Sequence, residues 1–394
     1  MNIHEYQAKG FLNKYGIPVP EGYPAENVEE VKEIMDLHFP DSKVVVKAQI
    51  HSGGRGKAGG VLLANTKEEA VEAAKNLFGK TLITKQTGPQ GKLVKKVYIE
   101  KQSQIEREIY LSLLIDTNIG KHCFIACGEG GTSIEELAES SPEKIIKETV
   151  EPSLGFSSET ALNIARRLEL NETNTAELTD ILSNMYDMFI KEDCTLIEIN
   201  PLAICNGHLM ALDAKVTLDS DALFRHKENL ELQDLNEEDP LELEASQFGM
   251  NYVSLSGNIG CICNGAGLGM SSMDTIYHYG GKPANFMDTG GTITVDKAYK
   301  AFEIVSRGGN VEGIIVNIFG GIARTDLIAE GVVKAMDELN YNKPVVVRIE
   351  GNRAETAHET LKNAKIPVIL AENCSDAVKK MLKKLEEDQD EYLC

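Results

Sequence analysis

The sequence predicts an α/β protein with two domains of different architecture, an α+β domain followed by a domain built on a parallel sheet. The amino-terminal half alternates β-branched apolar runs with stretches whose apolar residues recur at helical spacing. An acidic segment at residues 228–244, with a proline and no strand pattern, separates this half from the remainder. Beyond it, strands, glycine-rich turns and helices alternate, a rhythm typical of doubly wound parallel sheets. We therefore expect one domain over residues 1–240 and a second over residues 241–394.

In the first domain, strands are predicted where β-branched residues cluster, and helices where apolar residues recur every three or four positions. The predicted strands are 44–50, 60–64, 96–100 and 109–115. The predicted helices are 67–78, 143–150, 156–170 and 175–191.

The second domain repeats a strand followed by a helix. The predicted strands are 258–263, 313–319, 343–350 and 367–371. Helices are expected after each of them: one after NGAGLGM at residues 264–270, and the others beginning near residues 322, 355 and 375. Because parallel strands need such crossover helices, we expect one parallel sheet.

Length and composition restrict the functional classes. The 394 residues are 42% hydrophobic, and no run of about 18 apolar residues that could span a membrane occurs. Lys and Arg number 40 against 61 Asp and Glu, a net charge of -21 that disfavours nucleic acid as the main partner. The eight cysteines form no C-x-x-C pair and are expected to be reduced thiols. No signal or transit pattern opens the chain, so we expect a cytoplasmic protein, although a mature mitochondrial matrix protein would have the same composition.

A glycine-rich loop at residues 51–60 joins two predicted strands. Its glycines allow backbone N–H groups to approach an anion, and Arg55 and Lys57 add positive charge. The spacing matches neither the Walker nor the dinucleotide pattern, and a flexible hairpin tip is the alternative. Lys47 interrupts the apolar strand before the loop. Since an unpaired charge there would be costly, a phosphate partner is the economical explanation.

The segment TLIEINPLAICNGHLMALDAKV predicts a hairpin that carries a metal site. Apolar runs flank Asn206-Gly207, a dipeptide typical of two-residue hairpin turns. With this turn, Asn200 lies opposite Asp213. Two positions further from the turn on each strand, Glu198 lies opposite Lys215. All four side chains share one face of the sheet. An amide oxygen beside a carboxylate suits Mg²⁺, which combines a few protein oxygens with waters and phosphates. The alternative is a polar outer face with a cross-strand ion pair.

Glycine turns after two strands of the second domain predict another anion site. The strand 313–319 ends at Gly320-Gly321, and Ile322 is expected to open a helix. The N–H groups at the end of the strand, in the turn and at the amino terminus of the helix would then point to one place. Residues 264–269, NGAGLG, repeat this arrangement one unit earlier. Tight strand-to-helix turns without a ligand are the alternative.

Several longer strings resemble one enzyme family. The resemblance is carried by MNIHEYQAKG, VVKAQIHSGGRGKAGGV, LIEINPLAI, GNIGCICNGAGLGM, NIFGGIARTD and VVVRIEGN, and it runs from Met1 to about Leu382. These strings are similar to the beta subunits of succinyl-CoA synthetases (succinate–CoA ligases). The resemblance implies an amino-terminal ATP-grasp domain and a flavodoxin-like CoA-ligase domain. It also implies a reversible reaction of the tricarboxylic acid cycle that joins succinate and CoA while ATP or GTP is converted to ADP or GDP and phosphate.

The resemblance also implies roles for individual residues. The implied nucleotide contacts are Lys47, Gly54, Arg55, Gly56, Glu100, Ser103 and Glu108. Among them, Lys47 and the Gly54–Gly56 turn would meet phosphates, Glu100 would lie beside the base and Glu108 near the ribose. The implied Mg²⁺ ligands are Asn200 and Asp213, the pair that the hairpin register places face to face. The implied succinate contacts are Asn264, Gly321, Ile322 and Ala323.

The family reaction proceeds through a phosphohistidine that this chain does not provide. None of its eight histidines stands in the Gly-His-Ala-Gly setting of the family's phosphorylated loop. In the family, that loop and most CoA contacts belong to an alpha subunit, which is therefore the expected partner. Our hypothesis for this chain is that Glu198 is catalytic and binds one imidazole nitrogen of the phosphohistidine, so that the other nitrogen reacts. The alternative is that Glu198 only pairs with Lys215.

Other functions are open on the sequence alone. A malate–CoA ligase beta subunit would share these motifs and differ in its substrate pocket. A non-catalytic nucleotide-sensing subunit would have no need of the metal pair Asn200 and Asp213, which argues against it. An ATP-grasp carboxylate–amine ligase would leave the glycine turns of the second domain unexplained.

Overall fold

The polypeptide folds as two units, each with its own hydrophobic cores. A computed structural model describes residues 1–131 and 134–393, and the units are Met1–Glu237 and Glu238–Cys394. Both predicted architectures are confirmed, because antiparallel sheets with helices form the first unit and a mainly parallel sheet forms the second. Within the described residues, no helix combines the length and the apolar character needed to cross a bilayer.

The first unit contains two larger sheets. Its strands are β1 (Gly22–Ala25), β2 (Val44–Gln49), β3 (Val61–Ala64), β4 (Thr81–Leu82), β5 (Lys92–Leu93), β6 (Lys96–Lys101), β7 (Ile105–Asp116), β8 (Lys121–Cys127), β9 (Ile146–Val150), β10 (Cys194–Cys205), β11 (His208–Ala211) and β12 (Ala214–Leu218). One sheet has the order β1-β6-β2-β3. The other has the order β11-β10-β7-β8-β9, with β12 also on β10, and β4 pairs with β5.

Helices cover these sheets, and several of them begin at side-chain caps. They are α1 (Glu5–Lys14), α2 (Val28–His38), α3 (Lys67–Leu77), α4 (Ile134–Ser140), α5 (Ser158–Arg167) and α6 (Glu172–Lys191). Thr66, for example, accepts a hydrogen bond from the Glu69 backbone and starts α3. The apolar faces of α5 and α6 pack on the larger sheet, with Ile164, Leu182 and Met185 fully buried. The helices predicted over 67–78, 156–170 and 175–191 are therefore confirmed.

The helix predicted over residues 143–150 is wrong. A single 3-10 turn, Pro142–Lys144, leads into the edge strand β9, which pairs with β8. Ile146 and Val150 are buried, and Lys147 and Thr149 between them are exposed. Two apolar residues four positions apart lie on one face of a helix and also on one face of a strand. Their spacing alone therefore could not distinguish a helix from a strand.

The hairpin around Asn206-Gly207 has the predicted register. Asn206 has φ 51° and Gly207 has φ 79°, the left-handed conformations of a type I′ turn. Cys205 pairs with His208. Glu198 pairs with Lys215 across β10 and β12.

The second unit is one six-stranded sheet between helices, in the order β13-β15-β14-β16-β17-β18. Its strands are β13 (Asn251–Ser254), β14 (Ile259–Cys263), β15 (Asn285–Asp288), β16 (Gly313–Gly320), β17 (Val345–Gly351) and β18 (Ile369–Leu370). Its helices are α7 (Pro240–Gln247), α8 (Ala266–His278), α9 (Val295–Ser306), α10 (Thr325–Glu338), α11 (Ala354–Lys362) and α12 (Cys374–Leu393). Among the strands described for this unit, only β13 is antiparallel to its neighbour. β14 and β16 are almost wholly buried, as expected of central parallel strands covered on both faces.

The cysteines that the structure describes are free thiols. Cys123, Cys127, Cys194, Cys205, Cys261, Cys263 and Cys374 form no disulfide, and Cys394 lies outside the described residues.

Candidate functional site

A buried group of charged side chains lies in the first unit. We call it the charge cluster, and its members are Glu5, Lys9, Lys47, Arg55, Glu100 and Asp213. They come from α1, β2, the glycine loop, β6 and the bend between β11 and β12. Folding thus brings together charges from five separate segments of the chain.

Lys47 is held by carboxylates. Its Nζ lies 3.0 Å from Glu5 Oε1 and 2.7 Å from Glu100 Oε1, and it donates to the Leu212 carbonyl at 2.7 Å. The predicted need for a partner is therefore met within the chain, and a phosphate is not required to explain a charge in this strand. A nucleotide phosphate would have to compete with these carboxylates.

Arg55 joins the glycine loop to the predicted metal ligand. Its Nη2 lies 2.9 Å from Asp213 Oδ1, 3.0 Å from Asp213 Oδ2 and 2.7 Å from Glu5 Oε2. The Asp213 side chain is 41% exposed, so it is accessible to a ligand from solvent despite this ion pair. Arg55 thus lies beside the position where a metal and a phosphate would meet.

Neighbouring charges in the cluster favour the ionised forms of Glu5 and Lys47, whereas burial and the charge of Lys47 lower the pKa of Lys9. Burial alone would raise the pKa of Glu5, but Lys47, Arg55 and Lys9 outweigh it and hold that pKa well below its usual range. Burial opposes the charge of Lys47, and Glu5 and Glu100 outweigh it, so the pKa of Lys47 is raised. Lys47 therefore remains a cation at physiological pH.

The glycine loop forms a turn with open space around it. The Gly60 N–H donates to the Arg55 carbonyl at 2.8 Å and closes the turn. Gly54 has φ 73°, a conformation that favours glycine. A Cβ at Gly54 or Gly56 would meet no heavy atom within 4 Å among the described residues. The backbone here could therefore approach a phosphate closely.

Asn200 and Asp213 lie on the predicted face of the hairpin. Ile199 and Ala214 point into the core, which places Asn200 and Asp213 on the opposite face, and the Asn200 N–H donates to the Asp213 carbonyl at 3.2 Å. An amide oxygen and a carboxylate fit Mg²⁺, which takes its remaining ligands from waters and phosphates. Among the described residues, no three or more His, Cys, Asp or Glu side chains are grouped so that they could hold a metal ion.

Glu108 and Gly131 lie close to this pair. The Gly131 N–H donates to Asn200 Oδ1 at 2.7 Å. A Cβ on Gly131 would lie 2.7 Å from Glu108 Oε2, and Gly131 has φ 73°, a conformation that favours glycine. Of the other predicted nucleotide contacts, Ser103 lies beside Met210, whose Sδ is 3.7 Å from the Ser103 hydroxyl. Glu100 is buried, and its carboxylate contacts Lys9 and Lys47.

Glu198 is a partly buried acid on the same face as Asn200. Its backbone register partners are Ser112 on β7 and Lys215 on β12. Burial is the main cause of its raised pKa. Glu135 and Asp213 raise that pKa further, while Lys215 lowers it. Among the side chains that the structure describes, no ion pair within 4.0 Å joins Glu198 to its register partner Lys215, although the charge of Lys215 acts on the pKa of Glu198.

The predicted substrate residues lie at the carboxyl ends of β14 and β16. The Asn264 side chain donates to the Phe319 carbonyl and accepts from the Phe319 N–H, both at 2.9 Å. Asn264 therefore ties two strand ends together. The helix predicted to open at Ile322 begins at Thr325, so Gly321, Ile322 and Ala323 form the turn before it. Ile322 is 89% exposed, and a helix turn there would gain no buried apolar contact from it.

Gly351 supports this turn and provides a stability test. It has φ 97°, and a Cβ there would lie 2.3 Å from the Gly320 carbonyl oxygen. We expect Gly351→Ala to lower the free energy of unfolding by about 2 kcal/mol or more, because the clash and the left-handed backbone cannot both be relieved. Chemical denaturation measures this change. Gly309→Ala is the control, since no described atom lies within 4 Å of its added Cβ. Equal stability of the two variants would contradict the argument.

Sequence reasoning did not identify Glu5 and Lys9 as site residues. Both lie on the buried face of α1 with Ala8 and Leu12. The sequence did contain a signal for them, since both are charged and lie four positions apart on an apolar helix face. Charges on such a face need buried partners, which would have indicated a buried polar site.

Comparisons with known proteins agree with both units. Residues 2–204 match the model of an ATP-grasp domain, and residues 262–382 match the model of a CoA-ligase. The succinate–CoA ligase (ADP-forming) subunit beta of Bacillus licheniformis is 47% identical over 383 residues, which cover 97% of this chain and 99% of that protein. The subunit of the same name from Staphylococcus saprophyticus is 47% identical over 393 residues, which cover 98% of this chain and all of that protein.

A solved structure shares the fold over nearly the whole chain. The structure of ATP citrate lyase from Methanothrix soehngenii, in complex with citrate and coenzyme A, has a TM-score of 0.72 and 17% identity. The similarity covers 97% of this chain and 99% of that one. At such identity the likeness concerns the fold alone. The family models and the two relatives show the family: the chain belongs to the succinate–CoA ligase beta subunits.

Proposed function

We propose that this chain, in complex with an alpha subunit, catalyses the reversible conversion of succinate, CoA and ATP to succinyl-CoA, ADP and phosphate. The observation that carries the proposal is the convergence of Lys47, Arg55 and Asp213 in one cluster, with Asn200 paired to Asp213 across the hairpin. Phosphoryl transfer depends mainly on positioning and on neutralisation of charge, and this arrangement supplies both.

Each phosphate-site residue has a distinct task in this proposal. Lys47 turns from Glu5 and Glu100 to a nucleotide phosphate, and Arg55 turns from Asp213 to a neighbouring phosphate oxygen. The open backbone of Gly54 and Gly56 lets N–H groups approach the same phosphates. Glu108 lies near Asn200 through Gly131 and would contact the ribose. Ser103 and the backbone at Glu100 would border the base.

Asn200 and Asp213 would hold Mg²⁺, which neutralises charge on the phosphates of the bound nucleotide. The amide and the carboxylate provide oxygens of the kind that this ion prefers. When Arg55 turns to a phosphate, the Ala214 N–H keeps the Asp213 carboxylate oriented, since it donates to Asp213 Oδ1 at 2.8 Å.

Glu198 would act on the phosphohistidine of the alpha subunit. Its carboxylate lies on the same face as Asn200 and lacks a close ion pair with its register partner Lys215. A carboxylate that accepts a hydrogen bond from one imidazole nitrogen fixes the tautomer and leaves the other nitrogen to exchange the phosphoryl group.

The second unit would bind succinate at the turn of Gly321, Ile322 and Ala323. This turn follows the carboxyl end of β16, the edge at which open α/β sheets bind ligands. Asn264 holds the turn by its two hydrogen bonds to Phe319. Its expected role is therefore to position the turn, and the N–H groups of the turn would bind the anion.

The test is co-expression with an alpha subunit of the family, followed by assay of the purified complex with succinyl-CoA and phosphate. We expect ADP to be phosphorylated faster than GDP, and succinate to be used in preference to malate in the reverse direction. The chain alone should bind ADP without ligase activity. An assembled complex that binds ADP but forms no ATP would contradict the proposal. Preferential use of malate would favour the malate–CoA ligase.

A further inference from the structure

Two buried lysines of the charge cluster share the same three acceptors. Lys47 Nζ contacts Glu5 Oε1, Glu100 and the Leu212 carbonyl, as described above. Lys9 Nζ lies 3.1 Å from Glu5 Oε1, pairs with the Glu100 carboxylate and donates to the Leu212 carbonyl at 2.7 Å. The phosphate-binding role proposed for Lys47 does not explain why a second lysine duplicates all of its contacts.

The balance of charge indicates a reason for the duplication. Three cations, Lys9, Lys47 and Arg55, face three carboxylates, Glu5, Glu100 and Asp213. Glu5 is 5% exposed and Glu100 is 3% exposed, so neither carboxylate can be compensated by water. If Lys47 left them without another cation in reach, Glu100 would be a buried, unpaired charge, which is strongly unfavourable.

We propose that Lys9 is a positioning residue of the nucleotide site: it remains on Glu5, Glu100 and the Leu212 carbonyl when Lys47 turns to a nucleotide phosphate. The inference rests on the proposed function, because that function assigns Lys47 to a phosphate. Lys9 is 2% exposed and lies on α1, so it acts through the carboxylates and does not touch the nucleotide.

The Leu212 carbonyl extends this role to the metal pair. Leu212 immediately precedes Asp213, and both lysines donate to its carbonyl. When Lys47 moves, Lys9 keeps a donor on that carbonyl, and the backbone at Asp213 retains its position. By holding the Leu212 carbonyl, Lys9 would therefore keep the hairpin at Asp213 in place after Lys47 has left its contacts in the cluster.

The experiment is Lys9→Met in the complex with the alpha subunit, with ADP affinity measured by calorimetry and steady-state constants measured for ATP, succinate and CoA. We expect ADP affinity to fall on the order of tenfold to a hundredfold, because the two carboxylates then retain Lys47. The Michaelis constant for ATP should rise similarly, and those for succinate and CoA should not change. Lys14→Met is the control, since Lys14 lies on the same helix, is 62% exposed and pairs with Glu192 outside the cluster. Unchanged ADP affinity in Lys9→Met would overturn the inference.

A second variant separates charge compensation from a merely structural role. Lys9→Met with Glu100→Gln leaves two cations and two carboxylates, and we expect it to bind ADP more tightly than Lys9→Met alone. If Lys9→Met does not fold, Glu100→Gln is compared with the double variant. The inference then expects a further loss of ADP affinity well below tenfold, from the remaining contacts of Lys9 with Glu5 and the Leu212 carbonyl, and a further loss of about tenfold or more would overturn it.

Lys47→Met distinguishes the failure of this inference from the failure of the proposed function. If Lys47→Met binds ADP as tightly as the unaltered complex, the phosphate role of Lys47 is wrong and the inference falls with it. If Lys47→Met weakens binding and Lys9→Met does not, the proposed function stands and only the role of Lys9 is wrong.

Discussion

Replacement of Asp213 by Asn is expected to lower nucleotide-driven phosphorylation of the alpha subunit by on the order of a hundredfold or more. The substitution keeps the shape of the side chain but removes the carboxylate charge that would face Mg²⁺. It also removes the ion pair that Arg55 makes with both oxygens of Asp213. Both losses act at the site where phosphate charge has to be neutralised.

The measurement is the rate of phosphohistidine formation from ATP as Mg²⁺ is varied, together with the stabilisation that Mg²⁺ and ADP give against thermal unfolding. In Asp213→Asn we expect a higher Mg²⁺ requirement and a smaller stabilisation by the ligands. Asp180→Asn is the matched control, because it removes the same charge from an exposed position on α6. An unaltered Mg²⁺ dependence in Asp213→Asn would show that Asp213 is not a metal ligand.

Replacement of Glu198 by Gln is expected to lower phosphorylation of the alpha subunit by about a hundredfold to a thousandfold, with little change in ADP affinity. Glutamine occupies the same space but cannot supply the negative charge that stabilises an imidazole N–H. Burial, Glu135 and Asp213 raise the pKa of Glu198. In the pH profile of the phosphorylation rate, the acid limb should therefore lie at a pH above the ordinary pKa range of glutamate. This limb should be absent in Glu198→Gln.

The sign of the stability effect separates this result from unfolding. A carboxyl group whose pKa is raised by folding favours the folded state most at low pH, and that contribution is lost as pH rises through the raised pKa. At neutral pH the uncharged Glu198→Gln should therefore unfold at a temperature no lower than that of the unaltered chain. A large loss of stability at neutral pH would attribute the lost activity to misfolding.

Lys215→Met distinguishes a catalytic role of Glu198 from a simple ion pair. The charge of Lys215 lowers the pKa of Glu198, so its removal should move the acid limb to higher pH without abolishing activity. If Lys215→Met reduced phosphorylation as much as Glu198→Gln, the two residues would act as a pair, and the role proposed for Glu198 would be wrong.

Local signals predicted most of the secondary structure and one part of the site. The Asn206-Gly207 turn sets the hairpin register through the backbone conformation of two adjacent residues, so the pairing of Glu198 with Lys215 could be predicted without other contacts. Prediction failed where a local signal was ambiguous. The spacing of Ile146 and Val150 fits both a helix and a strand. Ile322 follows a glycine turn and is exposed, so no buried contact favours its inclusion in the helix.

The sequence by itself determined the alternation of elements, the hairpin register and the family, because these depend on neighbouring residues and on continuous motifs. Only the tertiary structure decided which charges meet in the cluster. Glu100 lies 91 positions from Lys9, and Leu212 lies 165 positions from Lys47. Partners so distant are chosen by the packing of α1 and the two sheets, and a buried charge takes whichever opposite charge the fold brings within reach.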